Sequence, residues 1–344
     1  MDSVLSFLAL KEVKMVFLTS LESIIPIVLI ISLGYILKSR GMFNETFSSN
    51  LSRFIMTIAL PAGIFVAVMH HMQLKDFWSL RYGLLTVIVS FIVSYIVAFI
   101  LMKVCKIPRG RRGTFINMML NVNCLFIGLP VQIALFGQDA LEYFLIYYII
   151  NTISVWMIGV YLIELDPLPN NNDTSTSNTS KFKISWQKLL PPPLIGFIVS
   201  LVFVYGQIPL HPVLFRTLSY LGSMVTPLAL LYIGISLYDA GLKSLKFNKD
   251  VISAIVARFV VAPLVMYFVI LVVQSCIGMT LQPMITITFI VQSALPVMAV
   301  LPILANEFGA DVPYATSLVT ISTILFIIVI PVIMELLTMI GIVA

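Results

Sequence analysis

Asn121 and Asn123 share one short stretch with Gly128 and Pro130, in Asn121-Val-Asn-Cys-Leu-Phe-Ile-Gly-Leu-Pro130, inside a segment apolar enough to span a membrane. Pro130 has no N–H, so the Phe126 carbonyl loses its helical partner, and Gly128 loosens the backbone beside it. Inside lipid such a carbonyl persists only where protein or a watery cavity covers it. A helix restarted there presents unpaired N–H groups and a partial positive charge, which suits a carboxylate. A second stretch, Gln292-Ser-Ala-Leu-Pro-Val-Met-Ala-Val-Leu-Pro302, has the same character. Pro296 frees the Gln292 carbonyl and Pro302 that of Met298, and Pro296 is expected to open the second restarted helix. The candidate substrate-binding residues are therefore Asn121, Asn123, Gly128, Gln292 and Ser293, with Pro130, Pro296 and Pro302 as helix breakers. The competing reading is that the prolines only kink their helices, with Asn and Ser mending the backbone locally.

Charge around these stretches is sparse. None of the 15 Asp and Glu lies near the middle of an expected span, so proton coupling through a buried carboxylate has no carrier. His70 and His71 fall at a helix end. Arg258 is the one charge well inside a span, about 12 Å along its helix from the inner end at 1.5 Å per residue. It either attracts an anion, snorkels to the boundary, or makes a structural hydrogen bond. Cys105, Cys124 and Cys276 have neither a C-x-x-C spacing nor a paired framework, so no disulfide and no zinc site is expected. No nucleophile elbow, H-E-x-x-H or P-loop is present, so neither an enzyme nor an ATP-driven pump is expected, and no cofactor.

The elements that must position these residues follow from composition. The 344 residues are 60% hydrophobic and 10% charged, against about a quarter charged in a soluble domain. That defines an all-α polytopic membrane protein; the net charge of +5 reflects loop topology and not a nucleic-acid surface. With about 20 apolar residues per crossing, ten spans are expected at 17–37, 50–69, 78–102, 114–136, 141–164, 188–206, 213–237, 250–274, 283–305 and 312–341. A polar run from Asp166 to Ser180 reads as a linker and divides the chain into 17–164, a linker at 165–187, and 188–341. Met1 to Leu10 lacks a basic n-region and reads as an interfacial segment, not as a cleaved signal. Fourteen Lys and Arg fall in odd-numbered connections and five on the other side, which puts both termini outside and the linker in the cytoplasm. Adding 172 lays Phe136-Gly-Gln-Asp139 on Phe308-Gly-Ala-Asp311 and Leu129-Pro130 on Leu301-Pro302. Five spans per half make that repeat inverted, an architecture that places sites at discontinuous helices near the midplane.

Asn123-Cys-Leu-Phe-Ile-Gly-Leu-Pro130, Gln292-Ser-Ala-Leu-Pro296, Ala257-Arg-Phe-Val-Val-Ala-Pro263 and Glu307-Phe-Gly-Ala-Asp311 resemble the auxin efflux carrier family, which contains plant carriers and bacterial malate and malonate permeases. The resemblance covers essentially the whole chain. It implies a scaffold of helices 1, 2, 6 and 7, and a mobile unit of helices 3–5 and 8–10 with broken, crossing helices 4 and 9. It also implies elevator-type alternating access, a homodimer in the plasma membrane, and Asn123 as the substrate-contacting asparagine beside Pro130 and Pro296. The short linker looks like that of the bacterial permeases, so the expected substrate is a small organic anion such as a malate-like dicarboxylate. The alternatives are a sodium-coupled carrier of bile-acid type and a non-transporting membrane receptor; the coupling ion, sodium or proton, stays open.

Overall fold

The computed structural model describes residues 25–71, 76–137, 140–169, 192–241 and 247–342. Expectations for residues 17–24, for Asp139 and for most of the linker fall outside them. Among the described residues the helices form twelve stretches, labelled here α1 to α10 with α4 and α9 each in two pieces. The first half has α1 Ile25–Ser39, α2 Glu45–Phe54 continuing through Ile55–Ala59 to Leu60–His71, and α3 Asp76–Val104. It continues with α4a Arg112–Leu120, α4b Cys124–Gly128 with Leu129–Phe136, and α5 Leu141–Ile153 through Ser154–Gly159 to Val160–Glu164. The second half has α6 Pro192–Tyr205, α7 Pro212–Ser223 with Val225–Ala240, and α8 Lys249–Val256 through Ala257–Val261 to Ala262–Ile277. It ends with α9a Pro283–Ser293, α9b Leu301–Glu307 and α10 Val312–Met339.

Among the described residues, six helices are long and apolar enough to cross a membrane singly: Thr46–His70, Arg81–Val104, Leu141–Glu164, Pro212–Asp239, Lys249–Ile277 and Val312–Met339. The chain is a multi-pass membrane protein. The expected spans 114–136 and 283–305 are each two short pieces, Arg112–Leu120 with Cys124–Phe136 and Pro283–Ser293 with Leu301–Glu307. A hydropathy count sums apolar residues and is blind to where the helix stops.

Four wide hydrogen-bonded turns, of five residues in α2, α4b and α8 and of six in α5, are built into these helices. Three end two residues before a proline: Ala59 before Pro61, Gly128 before Pro130, and Val261 before Pro263. A proline would collide with the carbonyl four residues back. Widening the turn moves that carbonyl aside and lets the next N–H reach five residues back, as Leu60 does to Ile55 and Ala262 to Ala257. The helices therefore pass their prolines without ending.

Small residues set how closely the helices approach. α6 and α7 each pack on α2, with α1 against α7. A Cβ on Gly222 would stand 2.6 Å from Gly63 Cα, and one on Gly196 2.8 Å from Pro61 Cα. Gly34 meets the Leu231 backbone and Gly234 meets that of Ile31 in the same manner. α3, α4a, α5, α8, α9 and α10 pack together around the two interruptions, and α4b lies against the second piece of α7.

Candidate functional site

α4a stops at Leu120, and Asn121 turns into extended backbone with φ −93° and ψ 108°. α9a stops at Ser293, and residues 294–300 follow as turns before α9b begins at Leu301. The two interruptions meet. Asn123 N–H donates to Pro296 O at 2.8 Å and Met298 N–H to Asn121 O at 3.1 Å, a single antiparallel bridge centred on Val122 and Val297. Each break thus satisfies backbone groups that the other would leave bare in the bundle interior.

The expected second restart needs correction. Pro296 lies buried inside the non-helical segment, and it is Pro302 that occupies the first turn of α9b. Pro296 offers its carbonyl to Asn123, which a helical residue could not do across the bundle. The carbonyls expected to be freed are also taken: Gln292 O accepts from Leu295 N–H at 3.3 Å and Met298 O from Leu301 N–H at 3.2 Å, both in tightened turns.

Asn123 caps α4b, its Oδ1 accepting from Phe126 N–H at 3.3 Å while its backbone O accepts from Gly128 N–H at 3.0 Å. It is 7% exposed, and Phe126 three residues on packs against Tyr232 of α7 with ring centroids 4.8 Å apart. Asn121 is fully buried: Nδ2 donates to Asn117 Oδ1 and Oδ1 accepts from Ser154 Oγ, both at 2.7 Å. Tyr95 OH reaches Ser154 Oγ at 2.7 Å, and Asn117 Nδ2 donates to Gly113 O and Gly159 O at 2.8 Å each. Asn151 on α5 serves both backbone groups of Val122, accepting from its N–H at 3.0 Å and donating to its O at 3.2 Å.

Gln292 and Gly128 touch. Gln292 Nε2 donates to Gly128 O at 3.4 Å and to Gln132 Oε1 at 3.1 Å, and Gln132 Nε2 donates to Thr288 Oγ1 at 2.8 Å. Gln292 Oε1 is buried without a partner. Ser293 Oγ is spent on Ile290 O at 2.7 Å. Arg258 does not reach the membrane boundary. Its side chain is fully buried, Nε donating to Leu295 O and Nη1 to Met119 O at 2.7 Å.

The structure thus gathers Asn121, Asn123, Pro296, Gln292, Ser293, Gly128 and Arg258 where the two breaks meet, while Pro130 sits more than one turn into α4b and Pro302 in the first turn of α9b. Sequence reading missed Asn117, Asn151, Ser154, Tyr95 and Gln132. The signal was there: Asn117 and Asn121 are four apart on one helix face, and Asn151 stands alone in an apolar span.

A cavity of about 420 Å³ lies between α2, α4b, α5 and α7, on the side of the molecule where α2 ends and α5 begins. Leu129, Ile133, Phe144, Ile64 and Phe215 form apolar walls, and His70, Ser219, Ser223 and Thr226 bring polar groups. At the opposite ends of the helices Arg111 links two carboxylates, Nη1 to Asp250 Oδ2 at 2.6 Å and Nε to Asp311 Oδ2 at 2.7 Å. Burial alone would lower the Arg111 guanidinium pKa; hydrogen bonds and charge from Asp311 and Asp250 outweigh it and raise it above its ordinary value. Asp166 Oδ2 accepts from the N–H groups of Arg112 and Gly113 at 2.6 and 3.2 Å, a carboxylate on the positive end of α4a.

An all-helical multi-pass membrane protein with paired interior breaks beside a cavity has the form of a membrane transporter. The profile of the membrane transport protein family matches residues 19–334, and the chain belongs to that family, the auxin efflux carriers that its motifs resemble. An uncharacterized transporter of Methanothermobacter thermautotrophicus is 22% identical over 317 residues, 92% of this chain and 98% of the relative. One from Methanocaldococcus jannaschii is 23% identical over 323 residues, covering 90% and 96%. The lysosomal cholesterol signaling protein of Mus musculus is 23% identical over 305 residues, 86% of this chain but 35% of that longer protein.

Proposed function

We propose that this protein is a secondary transporter of small organic anions and that Asn123 contacts the substrate. The observation that carries the reading is the mutual closure of the two breaks through Asn123 N–H to Pro296 O, which sets the start of α4b against α7, while Leu129 and Ile133 further along α4b line the apolar cavity. The capped end of α4b carries the partial positive charge a carboxylate needs, and Asn123 adds an uncharged amide. The substrate is a weak acid; malate-like dicarboxylates are the first to test, and the apolar walls favour acids with an apolar body. The two halves act as inverted five-helix repeats with crossing helices 4 and 9. Helices 3–5 and 8–10 move as one body against a dimeric scaffold of helices 1, 2, 6 and 7, exposing the site by turns to each face of the plasma membrane. Supporting that division, Phe126 of α4b meets Tyr232 of α7 ring to ring, while the glycine-lined contacts stay within each group.

A second reading has one observation in its favour. The mouse relative is named for cholesterol signalling, and an apolar cavity of this size suits a lipid ligand held without transport. Uptake of a panel of labelled carboxylates into proteoliposomes, with Asn123→Ala in parallel, separates the two. Saturable uptake lost in the variant is the expected result. If no carboxylate is taken up or bound while a sterol binds, the receptor reading replaces transport; uptake unchanged in the variant removes Asn123 from the site.

A further inference from the structure

A buried guanidinium in the middle of a membrane protein needs an explanation, because burial without compensation costs several kcal/mol. Arg258 has no carboxylate partner among the described residues. Its two bonded partners are main-chain carbonyls, Met119 O in the last turn of α4a and Leu295 O just past the end of α9a. Both half-helices therefore point their negative ends at one guanidinium. Each end carries about half an elementary charge, so the pair offsets about one positive charge. Two such ends meeting at mid-membrane would otherwise repel each other and invite a bound cation, as the unwound carbonyls of other broken-helix carriers do.

We propose that Arg258 is a positioning residue that occupies the place of a coupling cation: a covalently attached positive charge that locks the two breaks into one arrangement. The wide turn Ala257–Val261 that carries it, set by Pro263, aims the side chain between the breaks. Its third nitrogen, Nη2, has no protein partner, and Arg258 also lines a narrow cavity with Ser90, Ser94, Tyr147 and Ser293. That leaves the guanidinium room for a water molecule and none for a carboxylate substrate. Arg258 acts on the substrate only through the breaks, holding Asn123 in register with Pro296. The inference rests on the transport reading for its effect on affinity, and on geometry alone for the tie between the breaks.

The test uses the full chain in lipid nanodiscs, comparing the parent with Arg258→Gln, Arg258→Lys and Asn151→Ala. Hydrogen exchange at the amides of Val122, Asn123 and Met298 is expected to speed up at least about tenfold in Arg258→Gln, at both breaks together, from the loss of charged hydrogen bonds. Asn151→Ala, which serves Val122 alone, frees the first break only. Affinity for malate, or for the carboxylate that the uptake panel identifies, is the same in sodium, potassium and choline chloride for the parent. In Arg258→Gln that affinity falls, and millimolar guanidinium restores it while uncharged urea does not. A sodium requirement in the parent overturns the proposal, as does unchanged exchange at either break in folded Arg258→Gln. Should Arg258→Gln fail to fold, Arg258→Lys and the salt series on the parent decide. If no carboxylate binds at all, the transport reading falls and the exchange arm still settles the tie.

Discussion

Gly128→Ala places one methyl group where α4b meets the end of α9a. The new Cβ would stand 2.7 Å from Gln292 Oε1 and 2.8 Å from Leu295 Cδ1, with Phe144 Cε2 at an ordinary 3.5 Å. Gln292 and Leu295 are fully buried, so neither can yield into solvent. Gln292 Oε1 has no partner to lose, yet turning it away moves Nε2, which holds Gly128 O and Gln132 Oε1. Overpacking of this kind costs about 1–3 kcal/mol. Gln292→Ala alone loses two long amide bonds and costs about 1 kcal/mol. The double variant removes the first clash at its source, so its cost is expected to fall short of the sum by at least about 1 kcal/mol, the coupling typical of residues in contact. Unfolding of the four proteins in detergent, followed by heat-induced loss of the monodisperse species, gives the cycle. Additive costs, within about 0.5 kcal/mol, would refute a contact between Gly128 and Gln292.

Other outcomes follow from the same geometry. Asn151→Ala strips both partners from buried Val122 and is expected to destabilise by about 2–4 kcal/mol, read by the same thermal assay. Arg111→Gln leaves Asp250 and Asp311 facing each other; with these groups about a fifth exposed, a loss of about 1–3 kcal/mol is expected, part of it recovered by adding Asp311→Asn. Cys105 and Cys276 are both exposed, at opposite ends of α3 and α8 relative to the bilayer. An impermeant maleimide is expected to label Cys276 on intact cells and Cys105 only after permeabilisation; the reverse pattern inverts the orientation derived from the Lys and Arg count.

The sequence carried the class of the fold and the location of both breaks, because a proline and two asparagines in lipid are costly enough to mark themselves. It did not carry what the breaks do to each other. The bond from Asn123 to Pro296 joins residues far apart in the chain, and nothing local to either proline announces it. The misplaced start of α9b has the same origin: Pro296 looks like a helix opener until Asn123 claims its carbonyl. Arg258 left three readings open since depth along a helix says nothing of which way a long side chain turns. The Arg111 network was hidden in a run of basic residues whose count served topology, and only packing separates Arg111 from its neighbours in that run.

The wide turns have a consequence for how the helices hold their rotation. Each takes up one residue more than an α-helical turn needs, so the face presented beyond it is offset from the face before it. In α2, α4b and α8 a proline two residues on fixes where that extra residue sits, since moving the wide turn would restore the collision it avoids. In α5 the turn ends at Gly159 and the next proline is Pro167, beyond the helix. There the offset is held by Ser154, through its bonds to Asn121 and Tyr95, and by the close seat of Gly159 against Asn117. The rotation of the outer part of α5 is thus tied to the shape of the first break, and the two change together or not at all.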